Sequence, residues 1–224
     1  MSIALMAKAP TRARGVQRVA ELLDAGAALF AENGYEAITM TQIAKRAGAS
    51  IGSLYQFFPS KEVLAEALFA RYVERAASML EDLAKRAPGL SPPRLADRLV
   101  DLMLDIRSDR DAAAALSGSI SGIVERRQSL RGATRRQIAA ILRAANPRLR
   151  EKAAAEAAAM IGHVLKLVPM LAKEQEDGGQ PLVAQVRKML AAYIERVVRH
   201  WRDSDPAQGR VTLRSLPTRR NVKA

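Results

Sequence analysis

The chain has 224 residues, of which 49% are hydrophobic, 4% are aromatic and 26% are charged. Alanine is abundant and loses no side-chain entropy in a helix, so the composition favours an all-α protein. Lys and Arg total 36 against 23 Asp and Glu, and the net charge of +13 indicates a polyanionic partner, most simply nucleic acid. The sequence has no cysteine, which excludes disulfides, thiolate metal sites and cysteine nucleophiles.

The apolar stretches of the sequence are short and interrupted by charges, so none is expected to reach the roughly 20 residues of a membrane span. Residues 1–15 mix apolar and basic side chains without the ordered regions of a signal peptide. We interpret them as a flexible basic arm and expect the protein to be cytoplasmic.

The first two predicted helices have clear boundary signals. An apolar stripe over residues 16–32 predicts helix one, and Asn33-Gly34 provides its left-handed C-terminal stop. Thr39 and Gln42 have the spacing of a capping box, in which each side chain satisfies an unpaired backbone amide. A brief helix two is therefore expected after Thr39.

A third short helix is predicted over residues 51–58, capped by Ser50 and ended by Pro59. Helix two, the turn at residues 48–50 and helix three form a helix-turn-helix. The second helix of such a motif is short and narrow enough to lie in the major groove of DNA.

Helix three has two different faces. The face predicted to point to the core carries Leu54, Phe57 and Phe58. The opposite face carries Ile51, Gly52, Tyr55 and Gln56. Glycine inside a helix costs about 1 kcal/mol relative to alanine, so this face is predicted to allow a close approach by a partner.

Six more helices are predicted, which makes about nine in total. They lie at about 60–86, 95–108, 109–116, 130–145, 149–176 and 182–201, with a less regular segment at 118–122. Pro169 lacks an amide proton and leaves the carbonyl of Leu165 free, so it is expected to kink the helix over 149–176.

A set of closely spaced residues covers most of the predicted helix-turn-helix. Its members are Gly34-Tyr35, Thr39, Ile43-Ala44, Ala47-Gly48, Ser50, Gly52, Leu54-Tyr55, Phe58, Pro59-Ser60-Lys61-Glu62 and Leu64. Over about residues 16 to 65 this pattern resembles the N-terminal signature of TetR-family transcriptional regulators. The rest of the chain is similar to that family only in its helical architecture.

The resemblance implies a homodimer whose two recognition helices enter successive major grooves of a pseudo-palindromic operator. It also implies a C-terminal domain that binds a small effector, which lowers DNA affinity and relieves repression. The dimer is expected to form through the last two long helices, with the alanines at 154, 157 and 158 permitting close approach.

The predicted organisation therefore has four parts. They are a flexible basic arm (1–15), a helix-turn-helix DNA-binding domain (16–62), a helical effector-binding and dimerisation domain (63–203) and a basic disordered tail (204–224).

The resemblance implies that Tyr55 and Lys61 contact DNA phosphates. Gln56 can pair with adenine, Ile51 can meet a thymine methyl, and the hydroxyls can reach the DNA backbone. The predicted DNA-binding residues are Thr39, Thr41, Ser50, Ile51, Gly52, Ser53, Tyr55, Gln56 and Lys61. Ile51 and Phe57 depart from the family pattern, in which these positions are often polar and often histidine, so the sequence preference of relatives does not transfer.

The sequence carries weaker signals for an effector site. Methionine side chains adapt to irregular pockets, and several lie on the predicted middle helices. The candidate effector-binding residues are Met103, Met160, His163, Leu167 and Met170, with ordinary core packing as the alternative for each.

The sequence also bears on two other classes of function. A helical enzyme is disfavoured because neither His163 nor His200 belongs to a Glu-x-x-His or His-Glu-x-x-His motif, and no catalytic residue, metal site or cofactor is predicted. A nonspecific nucleoid-type binder is disfavoured because residues 1–61 hold seven basic and four acidic residues, a net charge of only +3. A DNA-binding regulator without an effector stays open.

Overall fold

The computed structural model describes residues 13–116 and 123–200, with side chains described over 13–116 and 128–198. In these ranges the chain forms only helices and turns, which confirms the all-α prediction. The helices are α1 (Ala13–Asn33), α2 (Met40–Arg46), α3 (Ile51–Phe57), α4 (Lys61–Arg86), α5 (Pro92–Asp105), α6 (Arg107–Ala115), α7 (Ile123–Ala145), α8 (Glu151–Leu165), α9 (Val168–Glu176) and α10 (Leu182–His200), with a 3₁₀ turn at Ala87–Gly89.

Three sequence predictions lie outside the described residues. They concern most of the N-terminal arm, the segment at 118–122 and the basic tail at 204–224. Residues 13–15, assigned to the arm, belong to the first turn of α1.

The predicted boundary signals of α1 to α3 are confirmed. Gly34 has φ +80°, the left-handed conformation expected after α1. The Thr39 hydroxyl accepts a hydrogen bond from the Gln42 amide at 3.3 Å, and the Thr39 amide donates to Gln42 Oε1 at 2.8 Å. Ser50 caps α3 by accepting from the amide of Ser53 at 3.2 Å. These local bonds fix where each short helix begins.

The later helices differ from the prediction in two places. Helix α7 begins at Ile123, about one and a half to two turns before the predicted start at 130. The predicted helix over 149–176 is divided into α8 and α9, so the described residues hold ten α-helices rather than nine. Pro169 lies in the first turn of α9, where its missing amide proton breaks no helical bond, so it accompanies a helix boundary instead of a kink.

Two hydrophobic cores share helix α4. The N-terminal core joins α1, α2, α3 and the first part of α4 as far as Phe69, together with Ala112, Ala113 and Leu116 of α6. The C-terminal core joins the rest of α4 with α5, α7, α8 and α10. Tyr72 packs against both cores. The predicted domain boundary after residue 62 therefore falls at the start of α4, ahead of the end of the N-terminal core.

The range Glu151–Glu176 is long and apolar enough, by length and composition, to cross a membrane, contrary to the expectation from the sequence. Of its most apolar window, 39% is buried inside the protein, and α8 packs mainly on α7. Ala154, Ala157 and Ala158 are each no more than 3% exposed. These alanines serve packing within the protomer, so the expectation that they bring two protomers together is wrong.

A buried carboxylate links the two cores. Asp109 of α6 is 3% exposed and binds Arg71 Nη2 at 2.6 Å and Arg75 Nη1 at 3.0 Å, both on α4. Arg71 Nη1 also binds Asp24 of α1 at 2.7 Å. A buried charge is costly once its partner is removed, so this cluster holds α6 against α4 and α1.

Replacing the buried carboxylate tests this link. We expect Asp109→Asn to lower the free energy of unfolding by about 2 kcal/mol, because Arg71 and Arg75 lose charge-assisted hydrogen bonds to the buried carboxylate. Asp111→Asn on the same helix is the control: its carboxylate is exposed and lies 3.8 Å from Arg110. That variant should change stability by less than about 1 kcal/mol in urea unfolding. Equal losses in the two variants would contradict the role of Asp109.

Candidate functional site

Helix α3 presents an exposed face on a firmly buried base. Leu54 and Phe57 are 0% and 8% exposed, whereas Ile51 and Tyr55 are 41% and 49% exposed. Gln56 is also exposed. The structure thus confirms the predicted division of the helix, and the outward side chains are available to a partner.

Gly52 lies on this exposed face in an ordinary helical conformation. A Cβ atom built on Gly52 meets no described atom within 4 Å. Neither backbone strain nor packing within the described protein therefore requires a glycine here. The missing side chain leaves open space at the surface of α3.

The predicted hydroxyl contacts lie at the starts of the two short helices. Thr39 and Thr41 are exposed at the first turn of α2, and Ser50 is exposed at the first turn of α3. Ser53, one turn later, is half-buried. The Thr39 hydroxyl also donates to Gln42 Oε1 at 2.9 Å. Capping and surface exposure therefore coexist at these residues.

Lys61 has a different environment from the one expected of a phosphate contact. Its ammonium group donates to the carbonyl oxygens of Tyr35 at 3.1 Å, Ile38 at 3.2 Å and Glu36 at 3.5 Å. The same nitrogen lies 4.2 Å from the centre of the Tyr35 ring, within cation–π range. An ammonium group has three hydrogens, so these carbonyls occupy its full donor capacity.

Tyr35 lies in the loop between α1 and α2, and its side chain also holds this loop in place. Its hydroxyl donates to Glu62 Oε1 at 3.2 Å, and its ring packs 5.3 Å from that of Phe30. Burial, followed by the nearby charge of Glu62, raises the pKa of Tyr35 to about 12. The start of α4 thereby holds the loop that leads into Thr39. Sequence reasoning missed this role because backbone carbonyl acceptors leave no residue pattern.

The helix-turn-helix is also tied to α1 by a surface ion pair. Arg46 at the end of α2 donates from both terminal nitrogens to Glu32, at 2.9 and 3.0 Å. Bidentate geometry of this kind sets orientation as well as attraction. Since α1 to α4 share one core, the exposed face of α3 is held rigidly.

The C-terminal core contains a cavity of about 160 Å³ between α4, α5, α6, α7 and α8. Its inner wall includes Leu99, Ile106, Ile138 and Leu165, each no more than 3% exposed. The lining also includes four cationic side chains. The cationic residues that line it are Arg110, Arg131, Arg135 and Lys166.

The five candidate effector residues do not converge. Met103 lines the cavity, whereas Met160, Leu167 and Met170 are 55%, 46% and 59% exposed and lie outside its lining. His163 is exposed, with its Nε2 3.1 Å from Arg135 Nη2. Sequence reasoning weighted methionines and missed the basic residues, although the i,i+4 spacing of 131 and 135 places both on one helix face.

The sequence matches a known family over the helix-turn-helix. Residues 22–68 match the family model for bacterial regulatory proteins of the tetR family. The transcriptional repressor KstR of Rhodococcus jostii (strain RHA1) is 40% identical over 76 residues. That match covers 34% of this chain and 34% of KstR, so the chain matches about a third of the length of this curated relative.

Solved structures share the fold over most of the chain. A TetR-family transcriptional regulator from Mesorhizobium loti MAFF303099 has a TM-score of 0.63 at 19% identity, over 83% of this chain and 97% of that one. The complex of SmeT with triclosan has a TM-score of 0.59 at 20% identity, over 80% and 90% of the two chains. Residues 22–68, which span most of α1 to the first part of α4, therefore match the tetR family of bacterial regulatory proteins, and the helices that follow share the fold of solved structures of that family.

Proposed function

We propose that the protein is a cytoplasmic, homodimeric transcriptional repressor that binds a pseudo-palindromic operator and is released from it by a small effector. The observation that carries this proposal is the exposed face of α3, where Ile51, Gly52, Tyr55 and Gln56 stand on a buried base. KstR, which matches the family region, is a transcriptional repressor rather than an enzyme, and this supports regulation over catalysis.

The contacts of this face with DNA follow from their chemistry. Gln56 reads adenine through its amide, Ile51 meets a thymine methyl, and Gly52 allows the helix to approach the groove. Tyr55 donates to a phosphate, which sets register without reading sequence. The hydroxyls at the helix starts contact the DNA backbone: Thr39, Thr41, Ser50 and Ser53.

Dimerisation through α8 and α10 is supported by the apolar side chains that these helices expose. Met160 of α8 is 55% exposed and Met189 of α10 is 50% exposed. Large exposed apolar side chains on the two last long helices suit a four-helix contact across a two-fold axis. Such a dimer places two copies of α3 for the two half-sites of one operator.

Coupling between effector and DNA has a physical route through α4 and α6. Ile106 and Arg110 at α6 line the cavity, and Asp109 between them binds Arg71 and Arg75 of α4. Helix α4 begins at the loop that supports the helix-turn-helix. A ligand that shifts α6 therefore acts on the DNA-binding unit, and the coupling is reciprocal. The triclosan complex of SmeT shows a small molecule bound to a protein of this fold.

The test of this function is selection of bound sequences from a random DNA library, at near-physiological salt to suppress nonspecific binding. We expect a pseudo-palindrome whose half-sites lie about one helical turn apart. Recovery of one half-site alone would argue against the dimer. No enrichment by folded protein would contradict the proposed reading by α3.

Replacing the reading amide should change specificity. We expect Gln56→Ala to lose about 1 to 3 kcal/mol of binding at one base position and to relax selection there. The control is Gln175→Ala, an exposed glutamine on α9, which should bind as the unaltered protein does. Equal losses of Gln56→Ala on every sequence would show that Gln56 contacts the DNA backbone instead.

Replacing Gly52 by alanine should raise the stability of the protein and lower its affinity for DNA. We expect Gly52→Ala to raise the free energy of unfolding by about 0.5 to 1 kcal/mol, because its Cβ enters open space, and to weaken operator binding. Gly132→Ala in α7 is the matched control, since its Cβ meets only the end of Arg136 at 3.4 Å. It should be stabilised without loss of binding. Unchanged operator affinity of Gly52→Ala would remove the close-approach role.

Lys61 is proposed to position the loop before α2 rather than to bind phosphate. We expect Lys61→Met to lower the free energy of unfolding by about 2 kcal/mol, because charge-assisted bonds to the loop carbonyls are lost. The slope of log affinity against log salt should stay unchanged. Lys45→Met, an exposed lysine of α2, controls for the lost charge. A salt slope reduced by about one in Lys61→Met, with stability intact, would restore the phosphate contact.

A further inference from the structure

The cavity in the C-terminal core joins an apolar interior to a concentration of positive charge. Arg131 and Arg135 lie one turn apart on α7, Arg110 lies on α6, and Lys166 follows the end of α8. Among the described residues that line this cavity, none is acidic. Four cations from three different parts of the fold therefore surround one opening.

Within the part of the chain that the structure describes, the contacts of these cations leave much of their charge unbalanced. Arg110 lies 3.8 Å from the exposed carboxylate of Asp111 and donates to the Lys166 carbonyl at 3.4 Å. Arg135 contacts the imidazole of His163 at 3.1 Å. Partial burial lowers the pKa of Lys166, and the charges of Arg131, Arg135 and Arg110 lower it further. Like charges held together in this way favour the entry of an anion.

The interior sets the size of the apolar part of a ligand. Leu99, Ile106, Ile138 and Leu165 form a wall of buried aliphatic side chains around about 160 Å³. An apolar cavity of about 150 Å³ is large enough to hold benzene. An apolar body of about six to eight carbon atoms therefore suits this space.

We propose that this cavity binds a small amphipathic carboxylate, with its apolar end against Ile106 and Ile138 and its carboxylate among Arg110, Arg135 and Lys166. A guanidinium group pairs with a carboxylate in bidentate geometry, which gives direction as well as attraction. Only the effect of the ligand on operator affinity rests on the proposed function, since binding of the carboxylate itself requires no DNA.

The position of Arg110 gives the anion a route to the DNA-binding unit. Arg110 follows Asp109, whose carboxylate binds Arg71 and Arg75 of α4. A carboxylate that draws Arg110 toward the cavity acts on the same turn of α6 that holds α4. In this proposal the charge of the ligand, in addition to its apolar part, is required to shift α6 and thereby to act on the DNA-binding unit.

The binding test uses calorimetric titration of the full chain with hexanoate, octanoate and decanoate, with octanamide as the neutral analogue. We expect octanoate to bind at least about tenfold more tightly than octanamide. Acetate, which carries the charge without the apolar body, should not bind measurably. Equal affinity for octanoate and octanamide, or no binding of any of the three carboxylates, would overturn the proposal.

Variants assign the anion to its site. Lys166→Gln and Arg135→Gln should weaken octanoate about tenfold and leave octanamide unchanged. Lys166→Gln should not lower thermal stability, because it relieves repulsion among the cations. The control is Arg143→Gln, an exposed position on α7 outside the cavity. An equal loss in Arg143→Gln would show attraction by the net charge alone and overturn the site.

A separate measurement distinguishes this proposal from the proposed function. Affinity for the selected operator is measured with and without saturating octanoate. Release of the operator supports both proposals. Octanoate that binds through Lys166 without changing operator affinity upholds the anion site and contradicts ligand-relieved repression. Release by octanamide as effective as release by octanoate upholds ligand relief and overturns the role of the carboxylate.

Discussion

The buried carboxylate of Asp109 determines how the two halves of this protein are held together. At 3% exposure it must stay paired, and its partners Arg71 and Arg75 both belong to α4. Helix α6 therefore cannot shift alone without leaving a buried charge unpaired. Because Arg71 also binds Asp24, the constraint reaches α1 and the base of the helix-turn-helix. One charge thus connects the cavity wall to the DNA-binding unit.

Helix α3 can expose one face because the rest of the helix-turn-helix holds the helix in place. A helix of seven residues is unstable alone, and here Ser50 caps it while Leu54 is fully buried beneath it. Lys61 contacts the carbonyls of the loop between α1 and α2, and Tyr35 of that loop contacts Glu62 of α4, so the start of α2 is held against α4. Ile51, Gly52 and Tyr55 lie outside this support, on the exposed face, where the proposed function assigns them to recognition.

The positive charge of this chain is distributed unevenly between the helix-turn-helix and the rest of the protein. Residues 1–61 carry seven basic and four acidic residues, a small part of the net charge of +13. In the proposed function, recognition by α3 therefore depends on shape and placement, with a modest electrostatic contribution. Four of the remaining cations line the cavity, where Arg110 and Arg135 are half-buried and Arg131 and Lys166 are exposed. From the net charge alone, all of these basic residues would be attributed to nucleic-acid binding.

The sequence by itself determined the helices, the caps of α2 and α3 and the two faces of α3, because these depend on residues within one or two turns of each other. It also identified the family signature, whose residues are adjacent in the chain. Only the tertiary structure decided that Lys61 binds loop carbonyls, that Asp109 is buried between two arginines, and that cations from α6, α7 and the end of α8 meet at one cavity. Those roles depend on contacts between residues distant in sequence, and the geometry of chain packing leaves no pattern within any one segment.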